Sequence, residues 1–117
     1  MDGIILYGLR NCDTCKKALA ALEAAGRAVT FVDIRREADL AAKVPAWLAA
    51  KGQQTLVNKR STTWRALDDA ERERVEAGEA AALLIANPTL IKRPVIEVGQ
   101  EVFVGWSKSV DAALGRV

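Results

Sequence analysis

Residues 4–34 constrain this chain more than any other stretch. An apolar run, Ile4-Ile5-Leu6-Tyr7, ends at Gly8 and reads as a buried strand. Asn11 to Thr14 offer capping side chains, after which Cys15, Leu19, Leu22 and Glu23 recur at helical spacing until Gly26. Val29 to Ile34 reads as a second strand. The result is a β-α-β unit, expected to be parallel and right-handed. It places Cys12 at the helix cap and Cys15 about one turn inside. These are the only two cysteines, and the chain has no histidine.

That position gives the pair its chemistry. The thiolate is the nucleophile, and free cysteine, with a pKa of about 8.5, is mostly protonated at neutral pH. Unpaired N–H groups and the dipole at a helix N-terminus stabilise an anion. Lys16 and Lys17 add positive charge nearby. Cys12 is read as the attacking thiol and Cys15 as the one that resolves a mixed disulfide on Cys12. An inert buried pair is the competing reading, and the strand-loop-CxxC-helix context argues against it. A structural zinc site needs about four ligands. With no histidine and no third cysteine, no metal site is expected.

The rest of the chain continues the pattern. Leu40 to Ala50 carries Leu40, Val44, Trp47 and Leu48 on one helical face, with Pro45 acceptable only near a first turn. Asp68 and Glu71 resemble a capping box that opens a helix at about Asp69. Gly78 interrupts that helix before Ala80 to Ala86, and Asn87-Pro88 ends it. Val95 to Val98 and Val102 to Val104 flank Gly99-Gln100 as an antiparallel hairpin, and Ser107 can cap a last helix through Leu114. This order predicts an α/β thioredoxin-like fold, a mixed sheet of about four strands, with a helical insertion at about 38–88. One domain over 1–117 is expected, since 117 residues can bury a core unaided.

Composition removes several function classes. Net charge is +2, from 17 basic and 15 acidic side chains, too balanced for a nucleic-acid arm or a polybasic membrane patch. Asp2 stands where a signal peptide carries basic residues, and no stretch approaches the roughly 20 apolar residues of a membrane span. A cytoplasmic protein is expected, where thiols are kept reduced and a cysteine pair is more often reactive than structural.

Two further stretches carry candidate ligand groups. In "LIKRPVI", residues 90–96, Lys92 and Arg93 precede Pro94 at a strand start, where the missing N–H is tolerated. Arg93 can present a planar fork to a carboxylate or oxyanion near Cys12. A solvated basic turn is the alternative. "VNKRSTTWRAL", residues 57–67, adds Lys59, Arg60 and Arg65, as a carboxylate-binding loop or as a polar entry to a helix. Trp47 and Trp64 are expected in the core; Trp106, after a glycine at a strand end, is open.

The segments "LYGLRNCDTCKKAL", "NKRSTTWRAL", "NPTLIKRPVIEVG" and "VGW" resemble, in order and spacing, the arsenate-reductase-like (ArsC/Spx) family, and its YffB-like branch in particular. The resemblance runs from about Ile4 to Leu114, and Thr62 to Leu67 favours the branch. It implies a thioredoxin-like fold with a helical insertion, a reactive Cys12 and a cis bond before Pro94. It also implies a glutathione-dependent thiol-disulfide reductase with no bound cofactor and glutathione as co-substrate; a monomer is expected. Under that implication Asn11, Lys59, Arg60, Arg65, Lys92 and Pro94 form the glutathione or substrate site, and Cys12, Cys15 and Arg93 the catalytic one. The family's arsenate reductases hold the oxyanion with three arginines. Here only Arg93 matches: the middle position falls near Asn58, beside Lys59 and Arg60, and the last at about Trp106. Arsenate reduction is therefore not expected as the main activity. The Spx branch instead binds RNA polymerase under redox control, which stands as the alternative.

Overall fold

A computed structural model describes residues 3–116. The first and last positions of the expected domain, residues 1, 2 and 117, lie outside the described residues. The chain forms two compact units, residues 3–38 with 93–116, and Asp39–Lys92.

In the first unit, β1 (Ile4–Gly8), helix α1 (Asp13–Ala24) and β2 (Val29–Asp33) follow one another as the hydrophobic pattern predicts. The two strands pair in parallel, from Ile4 with Val29 to Gly8 with Asp33. The sheet runs β2-β1-β3-β4, adding antiparallel β3 (Val95–Val98) and β4 (Glu101–Val104). It is a mixed four-stranded sheet in a thioredoxin-like α/β fold. Gly99 takes a φ of 60° in the two-residue turn between β3 and β4, a conformation that costs glycine little. Ile4, Leu6, Ala18, Leu22, Ile96 and Leu114 form a buried cluster that joins β1 and β3 to α1 and to the last helix, α7 (Lys108–Leu114). Burial of these apolar side chains is the main force holding the helices to the sheet. Ser107 caps α7 by accepting from Val110 N–H. Trp106, open on sequence grounds, packs half-buried against this cluster.

The second unit is helical: α2 (Leu40–Lys51), α3 (Gln53–Leu56), α4 (Thr62–Ala66), α5 (Asp69–Glu76), α6 (Ala80–Ala86) and a 3-10 turn at Pro88–Leu90. α2 packs on α3 and α6, and α5 packs on α6. Three expectations change here. Pro45 lies well inside α2 rather than in its first turn. Proline removes the hydrogen bond to Ala41, and because both residues are exposed that carbonyl can turn to water. Residues 53–56 and 62–66 form short helices of their own, the second capped by Ser61, which accepts from Trp64 N–H. Trp64 is half-buried rather than a core anchor, and Lys59 Nζ sits over its ring 5.3 Å from the centroid. Trp47, in contrast, is fully buried.

The Asp68 capping box closes as expected: Glu71 N–H donates to Asp68 at 2.8 Å, and Asp68 N–H donates to Glu71 at 3.0 Å. Asp68→Ala should therefore cost about 1 kcal/mol of stability, read by urea denaturation. An unchanged midpoint would mean that α5 does not depend on this cap.

Candidate active site: a cysteine pair at a helix N-terminus

The thiol site lies wholly in the first unit. Cys12 is the N-cap of α1 and Cys15 is the third residue of the helix. The turn before it is held by Cys12 N–H donating to the Leu9 carbonyl at 3.2 Å, and Lys16 N–H then closes the first helical bond to Cys12. None of the polar side chains from Asn11 to Thr14 forms a cap: the cap position belongs to Cys12, which offers a sulfur and no side-chain oxygen to the helix N–H groups. Both cysteines are free, Cys12 half-exposed and Cys15 fully buried.

Their environments drive the two thiols apart. Partial burial pushes the Cys12 thiol up, but the N–H and thiol of Cys15, with a hydrogen bond and the charge from Arg93, outweigh it, so its pKa is lowered. The cation acting on Cys12 is thus Arg93, not Lys16 or Lys17, both of which are exposed. Burial pushes Cys15 up to about 12; Leu9 N–H and the Arg93 charge oppose the shift, while Cys12 reinforces it. One sulfur, within reach of solvent, is therefore easier to ionise than an ordinary thiol. The other stays protonated and donates to it.

This difference has a consequence for stability. An unfolded thiol, at the ordinary value of about 8.5, releases its proton well before folded Cys15 does, near 12. Between those values the folded state binds more protons, so stability falls as pH rises. The expected slope from this group approaches about 1.4 kcal/mol per pH unit inside that window. Urea unfolding at pH 8 and pH 10 should show a loss that Cys15→Ala reduces. An equal loss in both proteins would remove Cys15 as its source. The depressed Cys12 acts in the opposite sense, its contribution being lost as pH falls through its folded pKa.

Arg93 reaches the site from just ahead of β3. The Arg93–Pro94 bond is cis and leads directly into β3. Pro94 is buried, has no N–H, and its carbonyl accepts from Gly105 N–H at 2.8 Å. Asn11 is exposed just ahead of Cys12.

The other expected ligand residues lie in the second unit. Lys59, Arg60 and Lys92 line a cavity of about 640 Å³ together with Gln53, Gln54, Asn58 and Glu76. Lys59 pairs with Glu76 there. Arg65 is not in that lining: its Nη2 donates to the Arg60 carbonyl at 3.0 Å, while Arg72 donates to the Arg65 carbonyl at 2.8 Å. These bonds hold the short helix and its approach loop.

One residue of the thiol site escaped sequence reasoning. Gly8 reads in sequence as the end of a strand, yet a Cβ placed on it would lie 2.6 Å from Cys15 Sγ. Its only sequence signal is a glycine closing the strand that feeds the CxxC loop. Among the described residues no group of three or more His, Cys, Asp or Glu side chains is placed to hold a metal ion, and no helix is long and apolar enough to cross a membrane.

A lowered-pKa cysteine at a helix N-terminus, acted on by an arginine whose bond to the following proline is cis, is a thioredoxin-like thiol site of the arsenate-reductase type. Comparison with known proteins agrees. The family model described as "ArsC family" matches residues 7–112. A solved structure described as the YffB (PA3664) protein is 37% identical, with a TM-score of 0.86 over 95% of this chain and 97% of its own. An arsenate reductase (ArsC) related protein from Brucella melitensis is 34% identical, with a TM-score of 0.77 over 100% and 97% of the two chains. An uncharacterised protein of Haemophilus influenzae is 40% identical over 106 residues, 90% of this chain and 92% of that one. The chain belongs to the ArsC family.

Proposed function

We propose that this protein is a glutathione-dependent thiol-disulfide reductase in which Cys12 is the nucleophile. The observation that carries the reading is the split between the two sulfurs: Cys12 at the helix N-cap is half-exposed, with Arg93 and Cys15 lowering its pKa, and Cys15 is fully buried, which pushes its own up. Exchange proceeds by thiolate attack on a disulfide sulfur. The Cys12 thiolate attacks one sulfur of the substrate, the substrate S–S bond breaks, and the second sulfur leaves as a thiolate that takes a proton from solvent. The mixed disulfide on Cys12 is then released either by glutathione or by Cys15. In the second route the Cys15 sulfur bonds to the Cys12 sulfur, the departing thiol is reduced, and the Cys15 proton passes to it. Arg93 lowers the cost of charge on Cys12 and can pair with a glutathione carboxylate.

The cations at 59, 60 and 92 support an anionic ligand as well, since Lys59, Arg60 and Lys92 exceed the one acid, Glu76, in their cavity. Arsenate reduction is less well supported. The position expected for a third arginine is Trp106, whose ring packs on the apolar cluster and carries no charge.

The test is glutathione-coupled reduction of hydroxyethyl disulfide, followed through oxidised glutathione, before and after alkylation of Cys12. Turnover that needs glutathione and disappears on alkylation is expected. An unalkylated protein without turnover, whose affinity for RNA polymerase changes on oxidation, would replace the reductase with the redox-controlled regulator.

A further inference from the structure

We propose that Gly8 is a positioning residue for the thiol pair, its bare Cα being the seat that lets the Cys15 sulfur lie within reach of Cys12. The proposal rests on the reading of Cys12 as the nucleophile, and it concerns what holds the second sulfur in place.

The geometry leaves Cys15 little freedom. Gly8 is the last residue of β1, paired with Asp33, and its carbonyl accepts from Ile34 N–H at 3.0 Å, so the floor of the seat is fixed by the sheet. A Cβ on Gly8 would stand 2.6 Å from Cys15 Sγ, 3.2 Å from Cys15 Cβ and 3.4 Å from Leu6 Cδ2. The first distance is far inside van der Waals contact. Cys15 is 0% exposed and sits on the face of α1 that also buries Ala18 and Leu22, so neither the sulfur nor its turn of helix can step aside into solvent. Leu9 N–H completes the seat through a hydrogen bond to the same sulfur.

Backbone conformation does not explain this glycine. Positive φ angles occur at Gly3, Gly26, Gly52, Gly78, Gly99 and Gly105, and Gly8 is not among them. Alanine can therefore adopt the Gly8 backbone, and what it meets is the sulfur. Displacing that sulfur removes the donor facing Cys12 and misplaces the group that must attack the mixed disulfide.

The experiment loads the reduced wild type and Gly8→Ala with oxidised glutathione and follows intact mass against time after quenching. In parallel, the rate of iodoacetamide alkylation of Cys12 is measured against pH. Both proteins should form the Cys12 adduct. In Gly8→Ala its collapse to the internal disulfide should slow roughly 100-fold, the effect of misplacing a reacting group by about 1 Å. The alkylation profile should move to higher pH, a change that general loss of stability does not produce. A folded Gly8→Ala with wild-type collapse and a wild-type pH profile overturns the proposal. If Gly8→Ala does not fold, Gly8→Ala/Cys15→Ala decides: it should recover stability over the single variant, because the 2.6 Å contact with the sulfur is gone and only the 3.2 Å contact with Cys15 Cβ remains, and a double variant as unstable as the single overturns the proposal. A wild type that forms no adduct defeats the reductase reading instead. The pH profile and the double variant then still judge the seat.

Discussion

Cys12→Ser should reduce glutathione-coupled turnover by roughly a thousandfold or more, because a serine hydroxyl is far harder to ionise than the Cys12 thiol, whose pKa is lowered. The structural reason to expect a clean loss is the role of the side chain. Cys12 is half-exposed, at an N-cap that no side-chain oxygen closes. Serine is among the preferred residues at that position, so the variant should melt at or slightly above the wild-type temperature. Loss of turnover with stability kept separates chemistry from folding. Residual turnover within tenfold of wild type would place the nucleophile elsewhere.

Arg93→Ala has the second largest expected effect. Arg93 contributes both a hydrogen bond and charge to the Cys12 thiolate, and it opposes the upward shift of Cys15. A hydrogen bond to a charged group is worth about 1.5–3 kcal/mol, which corresponds to roughly 10- to 100-fold in rate or affinity. Removing the cation raises the pKa of Cys12, so the loss should be greatest below neutrality and shrink as pH rises and the thiolate forms unaided. The glutathione concentration giving half-maximal rate should rise as well. A pH-independent defect would mean that Arg93 acts on substrate geometry and not on the thiolate. Arg93→Lys restores charge without the planar fork, so it should recover the pH profile better than the glutathione dependence.

Much of the frame is legible in the sequence because it is encoded locally. The apolar run from Ile4 to Tyr7, the Asp68–Glu71 capping box, Ser107, and the Gly99-Gln100 turn each act within a few residues, and each appears where expected. Cys12 at the cap of α1 belongs with them. What was hidden depends on distant partners or on segments too short for a period to show. Residues 53–56 and 62–66 span about one turn each. Pro45 is tolerated inside α2 because its neighbourhood is exposed, which no local rule states. Lys59 spends its charge on Glu76, seventeen residues away, and also covers Trp64. The Gly8–Cys15 contact joins a strand end to a helix interior, and only the three-dimensional packing reveals that the missing side chain makes room for a sulfur.

In the proposed cycle the accessible sulfur does the chemistry and the buried one follows. Incubating reduced wild type, Cys12→Ser and Cys15→Ser with oxidised glutathione and weighing the intact chains tests it most directly. A glutathione adduct that persists in Cys15→Ser, an internal disulfide in wild type, and neither product in Cys12→Ser are expected. An adduct that forms on Cys15 in Cys12→Ser while Cys15→Ser stays unmodified would contradict it.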